Sequence, residues 1–170
     1  DFRSFYIRRS KRLLPALFFT LIVSTIVAAV LFTPQRLETY GESMLYSVLS
    51  FSNVYFFFQS GYFDIDSGLK PLLHTWSLAV EEQYYVLFPI FLILTWRFGK
   101  NRVFWMIIVM AAISLLLSEW GWRNKATANF YLAPTRAWEL FAGSIAAFLA
   151  QKNGVQKNNF LALLGLSAIT

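Results

Sequence analysis

The fold class this sequence predicts is all-α, a polytopic bundle of transmembrane helices, and three observations carry that prediction. Hydrophobic residues fill 57% of the 170 positions and charged residues only 14%, a balance that soluble domains of this size do not show. The run from Leu13 to Phe32 is twenty residues without a charge, about 30 Å of helix and enough to cross a bilayer. Further apolar runs follow at Ser43 to Phe63, Trp76 to Trp96, Val103 to Ser118 and Pro134 to Ala150, joined by short polar links, and another opens at Phe160 to Thr170.

The first run is too long for a signal-peptide core and is not followed by a small-residue cleavage pattern, so it reads as a retained span. Five basic residues, Arg3, Arg8, Arg9, Lys11 and Arg12, immediately precede it. They account for much of the net charge of +6 and the pI near 9.7. Membrane topology explains them, and no soluble segment is present to carry a nucleic-acid groove. The missing initiator Met and the closing run at Phe160 to Thr170 predict one bundle domain over residues 1–170, truncated at both ends, whose remaining spans lie in a longer parent chain.

Ser43 to Phe63 is the least lipid-like run, interrupted by Ser47, Ser50, Ser52, Asn53, Gln59 and Ser60. If every run crosses, eight basic residues fall on the amino-terminal side and six opposite. If this run dips in and returns, the partition becomes ten against four, the stronger positive-inside asymmetry. The segment is therefore expected to be re-entrant, lining protein rather than lipid. That topology places the amino terminus, Arg97 to Arg102 and Gln151 to Asn159 in the cytoplasm. Thr33 to Glu42, Asp64 to Thr75 and Gly121 to Ala133 then face outward, with His74 and Glu81 near the outer leaflet.

Trp76 to Trp96 carries the chemistry. It holds Glu81 and Glu82 about two turns inside an apolar span, where an acidic residue costs roughly 2.5 to 3.5 kcal/mol unless it faces a bundle interior or a wet cavity. With a helix starting soon after Pro71, spacings of three and four align His74, Ser77, Glu81, Tyr84, Tyr85 and Phe88 on one stripe. Glu82 falls about 100° away, which ranks Glu81 first. A desolvated carboxylate suits a general base; pairing with Arg136 from another span is the structural alternative, and residue chemistry weighs the two evenly. Arg136 and Glu139, three apart, form a local pair or reach inward together, and Gly143 and Ala147 extend their face as a small-residue surface for helix approach. The cationic run reads either as an anchor on anionic lipid or as a phosphate clamp in which Arg9 and Arg12, one turn apart and beside Arg8, grip a nucleotide-bearing donor. With one histidine and no cysteine, this chain cannot build a Cys/His nucleophile or a multi-histidine metal site.

Three motifs in order, Phe5-Tyr6-Ile7-Arg8-Arg9-Ser10-Lys11-Arg12-Leu13-Leu14-Pro15, then Pro71 to Tyr85 with Trp76-Ser77-Leu78-Ala79-Val80-Glu81 at its centre, then Arg136-Ala137-Trp138-Glu139-Leu140-Phe141-Ala142-Gly143, resemble the membrane acyltransferase-3 family, nearest to its O-antigen acetylases. The resemblance implies a multi-pass protein of the bacterial inner (plasma) membrane. Such a protein moves an acyl group, commonly acetyl, from cytoplasmic acyl-CoA to a hydroxyl of an extracytoplasmic glycan such as lipopolysaccharide or surface polysaccharide, with no bound cofactor. It places Arg9 and Arg12 on the donor side and makes Glu81 the motif acid, with His74, Ser77 and Tyr84 or Tyr85 lining the acceptor end. One departure stands out: the family's principal catalytic histidine follows an arginine in an earlier span, and His74 is not that residue. Glu81 is then expected to orient or support that histidine. Two other readings remain: a transporter or flippase gated by Glu81 and Arg136, and a non-catalytic membrane scaffold.

Overall fold

The structure, a computed structural model, describes residues 2–60 and 70–153, and every regular element among them is helical. In chain order these are α1 (Phe2–Leu31), α2 (Pro34–Val48), α3 (Ser52–Gln59), α4 (Thr75–Thr95), α5 (Lys100–Asn124), α6 (Ala126–Tyr131) and α7 (Ala133–Asn153). The run at Phe160 to Thr170 and the first half of the loop at Asp64 to Thr75 lie outside the described residues. Three helices, Arg3–Leu31, Thr75–Phe98 and Lys100–Asn124, are long and apolar enough to cross a membrane. α7, expected as a further span, is 21 residues long but carries Arg136 and Glu139 and is not among the three.

Ser43 to Phe63 is not a single helix. α2 ends at Val48, α3 begins at Ser52, and Ser50 between them adopts φ 60°, a left-handed conformation that a non-glycine residue holds only when its surroundings enforce it. With 15 and eight residues, α2 and α3 rise about 22 and 12 Å, short of the roughly 30 Å hydrocarbon layer. Polar side chains hold the break. Gln83 donates its amide to the Ser50 carbonyl and to Asn53 Oδ1, both at 2.9 Å, and buried Asn53 passes the link on to the Tyr131 carbonyl at 3.1 Å. Ser52 donates to the Thr75 carbonyl at 2.9 Å, and the hydroxyls of Ser47 and Thr75 stand 2.8 Å apart. The serines and asparagine that make the run a poor span therefore fasten it to α4.

Contacts along the helices fix their directions. Phe5 lies against Tyr85, Arg9 against Glu82, and Leu21 shares a core cluster with Leu72, so α1 and α4 are antiparallel. Lys100 meets Gln151, Phe104 meets Phe148, and the Ser114 hydroxyl donates to the Pro134 carbonyl while accepting the Trp138 N–H, so α5 and α7 are antiparallel too. Gly99 permits the reversal between α4 and α5 with φ +94°, and Gly121 lets α6 approach α5 so closely that a Cβ would meet Asn129 Oδ1 at 2.8 Å. α4 and α7 run the same way, with Trp76 beside Arg136 and Tyr84 beside Ser144.

One end of the bundle thus gathers the start of α1, the end of α4, the start of α5 and the end of α7. Arg3, Arg8, Arg9, Lys11, Arg12, Arg97, Lys100 and Arg102 cluster there, whereas Arg36, Lys70, Arg123 and Lys125 sit at the other end. This is the grouping of segments that a returning α2–α3 pair predicts. Two stretches expected as outward loops are partly helical: α2 starts at Pro34, a residue suited to a first helical turn, and α6 lies within Gly121 to Ala133.

A proline inside α4 shapes the α1 contact. Buried Pro89 has no N–H, so the Tyr85 carbonyl four residues earlier lacks its helical donor, and the Tyr6 hydroxyl of α1 supplies one at 3.2 Å. Tyr6→Phe should cost about 1 kcal/mol, and the cost should largely vanish in a Pro89→Ala background, where α4 closes its own hydrogen bond. Thermal unfolding of the four proteins in detergent measures this coupling.

Candidate functional site

The inward face of α4 is set by buried Leu72, Thr75 and Ala79, spaced by three and four, and the same period continues to Glu82 and Gln83. From the facing turn of α1, Arg9 reaches into this surface. Its Nε–H donates to Glu82 Oε1 at 3.0 Å, and Nη2 stands 2.7 Å from the same oxygen. That second approach is an ion-pair contact rather than an aligned hydrogen bond, so buried Nη2 keeps its hydrogens unpaired. The guanidinium carbon lies 3.4 Å from the centroid of the Tyr85 ring, a close cation–π stack. Glu81 contributes only a 3.9 Å approach to Nη2, and its side chain is 49% exposed against 26% for Glu82. A small cavity of about 90 Å³ opens beside the pair, where Ser10, Ser47 and Ser50 meet Arg9 and Glu82 at the break between α2 and α3.

A larger cavity of about 710 Å³ lies between α1, α4 and α7, towards the basic end. Arg8, Tyr84, Tyr85, Glu139 and Ser144 give it a polar lining among apolar walls. Arg8 is exposed and forms no ion pair among the described residues. Tyr84 and Ser144 share a hydroxyl–hydroxyl hydrogen bond of 2.8 Å. Arg136 grips Glu139 two-pronged, Nε to Oε1 at 3.2 Å and Nη2 to Oε2 at 3.3 Å, and its guanidinium stands 5.4 Å from the Trp76 ring.

Several expectations change on this geometry. Glu82, not Glu81, is the acid turned inward, because the buried face is phased by Leu72, Thr75 and Ala79 rather than by the polar stripe. Glu81 lies level with Arg9 of α1, about two turns from the start of α4. It does not pair with Arg136, whose carboxylate is Glu139. The stripe itself does not line one chamber: His74 and Ser77 are exposed, with the Ser77 hydroxyl only donating to the His74 carbonyl at 3.3 Å, while Tyr84 and Tyr85 sit on the larger cavity. Arg12 is exposed and does not join Arg9 at Glu82; Arg8, Tyr84, Tyr85 and Glu139 are the candidates that the fold brings together. Gln83 and Asn53 are not among the site residues the sequence singles out, although Thr75, Ala79 and Gln83 at four-residue spacing mark the inward face.

Known proteins match this chain over most of its length. The family model described as an acyltransferase domain covers residues 1–170. The chain belongs to the acyltransferase-3 family. An uncharacterized protein of Haemophilus influenzae is 33% identical over 95% of this chain and 71% of its own length. This acyltransferase-3 chain is also 35% identical to the putative peptidoglycan O-acetyltransferase YrhL of Bacillus subtilis, over 88% of its residues and 24% of that protein. Against the peptidoglycan O-acetyltransferase OatA of Listeria monocytogenes the identity is 33%, over 86% and 24%. The chain thus spans about a quarter of the length of the two named acetyltransferases. No solved structure matches it.

Glu82→Ala would leave Arg9 as a partly buried cation without its main partner and should lower stability by about 3 to 5 kcal/mol, whereas Glu81→Ala should cost about 1 kcal/mol or less. Thermal unfolding of the two variants in detergent ranks the acids.

Proposed function

We propose that this chain forms the donor-side part of a membrane O-acetyltransferase, which takes an acetyl group from acyl-CoA at the cytoplasmic face and passes it to a hydroxyl of peptidoglycan outside the bacterial inner membrane. The observation that carries this reading is the large cavity at the basic end, with a cation free for an anionic ligand at its edge. Arg8 lines the cavity and pairs with no carboxylate among the described residues, while neighbouring Arg9 is committed to Glu82. A CoA donor offers phosphates that an arginine binds with paired N–H donors. Exposed Arg12 adds to the same field. Two relatives bearing peptidoglycan O-acetyltransferase names favour peptidoglycan over lipopolysaccharide as the acceptor.

In this scheme the acceptor hydroxyl oxygen attacks the thioester carbonyl, the carbon–sulfur bond breaks, and the CoA thiol departs with the hydroxyl's proton. The base that moves that proton comes from spans outside this chain. Glu81 would steady that base, a role its half-exposed side chain on the surface of α4 leaves open. Tyr84 and Ser144 line the cavity with their hydroxyls bonded to each other. A gate built on a Glu81–Arg136 pair finds no support in this geometry, because Arg136 pairs with Glu139 and Glu81 does not meet it.

In the complete polypeptide, Arg8→Ala should raise KM for acetyl-CoA about tenfold or more with little change in kcat, the loss of one charge-assisted contact. Acetyl transfer assayed in isolated membranes tests this, and an unchanged KM would remove Arg8 from the donor site. Orientation is tested by single cysteines, since this chain has none of its own. With any cysteine outside the chain replaced, Lys125→Cys should react with an impermeant thiol reagent in intact cells and Lys100→Cys only after permeabilisation.

A further inference from the structure

The polar cavity does not end at Tyr84. Behind it lies a second cavity of about 270 Å³, bounded by Val80, Leu87, Phe91, Met110, Ala137 and Phe141, with no polar atom exposed on its wall. The one amide at its edge, that of Gln83, is spent on Ser50 and Asn53. The two cavities share Tyr84, Phe88 and Leu140. From that shared wall the apolar cavity runs towards Ala133 and Pro134, away from the basic end.

Besides an edge-on contact with Tyr85 at 5.8 Å, three contacts across the wall hold the Tyr84 ring. It stacks on Phe88 at 4.9 Å and 14°, meets Phe141 edge-on at 5.3 Å and 73°, and is tied by its hydroxyl to Ser144. A donor whose phosphates rest on Arg8 at the polar cavity would direct its acyl end towards this wall. Beyond the wall only hydrocarbon is accommodated without leaving a polar group unpaired.

We propose that Tyr84, latched to Ser144, is a specificity gate that restricts the donor to a short acyl group by closing the apolar cavity to longer chains. The proposal rests on the acyl-transfer reading above and commits the apolar cavity to the tail of an acyl-CoA. Removing the ring joins the two cavities and gives the tail a hydrophobic channel, while removing only the latch lets the ring swing aside part of the time.

The test measures kcat/KM with acetyl-, butyryl- and hexanoyl-CoA in membranes containing the complete polypeptide, as wild type, Tyr84→Ala, Tyr84→Phe, Ser144→Ala and the double variant Tyr84→Ala with Ala137→Phe. The acetyl-to-hexanoyl ratio should fall about tenfold or more in Tyr84→Ala, the scale of discrimination that hydrophobic fit supports. It should fall about threefold in Ser144→Ala and Tyr84→Phe, which lose only a hydrogen bond. Filling the cavity with Ala137→Phe should return the ratio towards wild type. If Tyr84→Ala fails to accumulate, the two conservative variants decide. A wild-type ratio in these variants, with acetyl still transferred, would overturn the gate and leave the apolar cavity to a bilayer lipid chain. Absence of transfer from every CoA donor by the wild-type protein would instead overturn the acyl-transfer reading.

Discussion

The ion pair between Arg9 and Glu82 is the constraint on which the rest of this bundle depends. Neither charge belongs in an apolar interface alone, and removing one partner of such a pair is far more costly than the pair is stabilising. Their meeting therefore sets how α1 slides along α4. Once Arg9 is opposite Glu82, Tyr85 falls under the guanidinium, Phe5 packs on Tyr85, and Tyr6 reaches the carbonyl that Pro89 leaves without a donor. The same register leaves Arg8, one residue earlier and about 100° around the helix, facing the space beside α7. Two adjacent arginines thereby acquire different tasks, one locking the helices together and the other presenting charge to a cavity.

The second determinant is the interrupted segment between α1 and α4. A continuous helix there would need lipid or a bundle groove along its whole length. The break at Ser50 instead turns backbone carbonyls and small hydroxyls towards α4, where Gln83 and Thr75 receive them. Thr75 and Ala79 are small enough for the interrupted segment to come close, the same logic by which small residues bring membrane helices together. The network continues through Asn53 to Tyr131, so α3, α4 and α6 are joined by hydrogen bonds rather than by apolar packing alone.

Much of this architecture is legible in the sequence because hydrocarbon thickness and backbone hydrogen bonding leave few options. Long apolar runs identify α1, α4 and α5, and the serines of the second run announce its break into two short helices. The basic residues foretell which helix ends lie together. The partners of the charges are not legible in the same way. Arg9 and Glu82 are 73 residues apart, and nothing local distinguishes Glu82 from Glu81 except the phase of the face to which it belongs. That phase was available in Leu72, Thr75 and Ala79, but the more conspicuous run of polar residues at His74, Ser77 and Glu81 pointed to the opposite side. Tyr84 and Tyr85 look equivalent in sequence; only the positions of α1 and α7 assign one to a guanidinium and the other to a serine.

The long sequence separation of that ion pair also bears on how the protein is made. When α1 leaves the ribosome and enters the bilayer, the acid that will neutralise Arg9 has not yet been translated. Arg9 lies close to the start of α1, within reach of lipid headgroups along its flexible stem, so phosphate there can hold the charge in the interval. The Arg9–Glu82 contact thus waits on synthesis of α4, and the seating of α1 against it cannot precede that step.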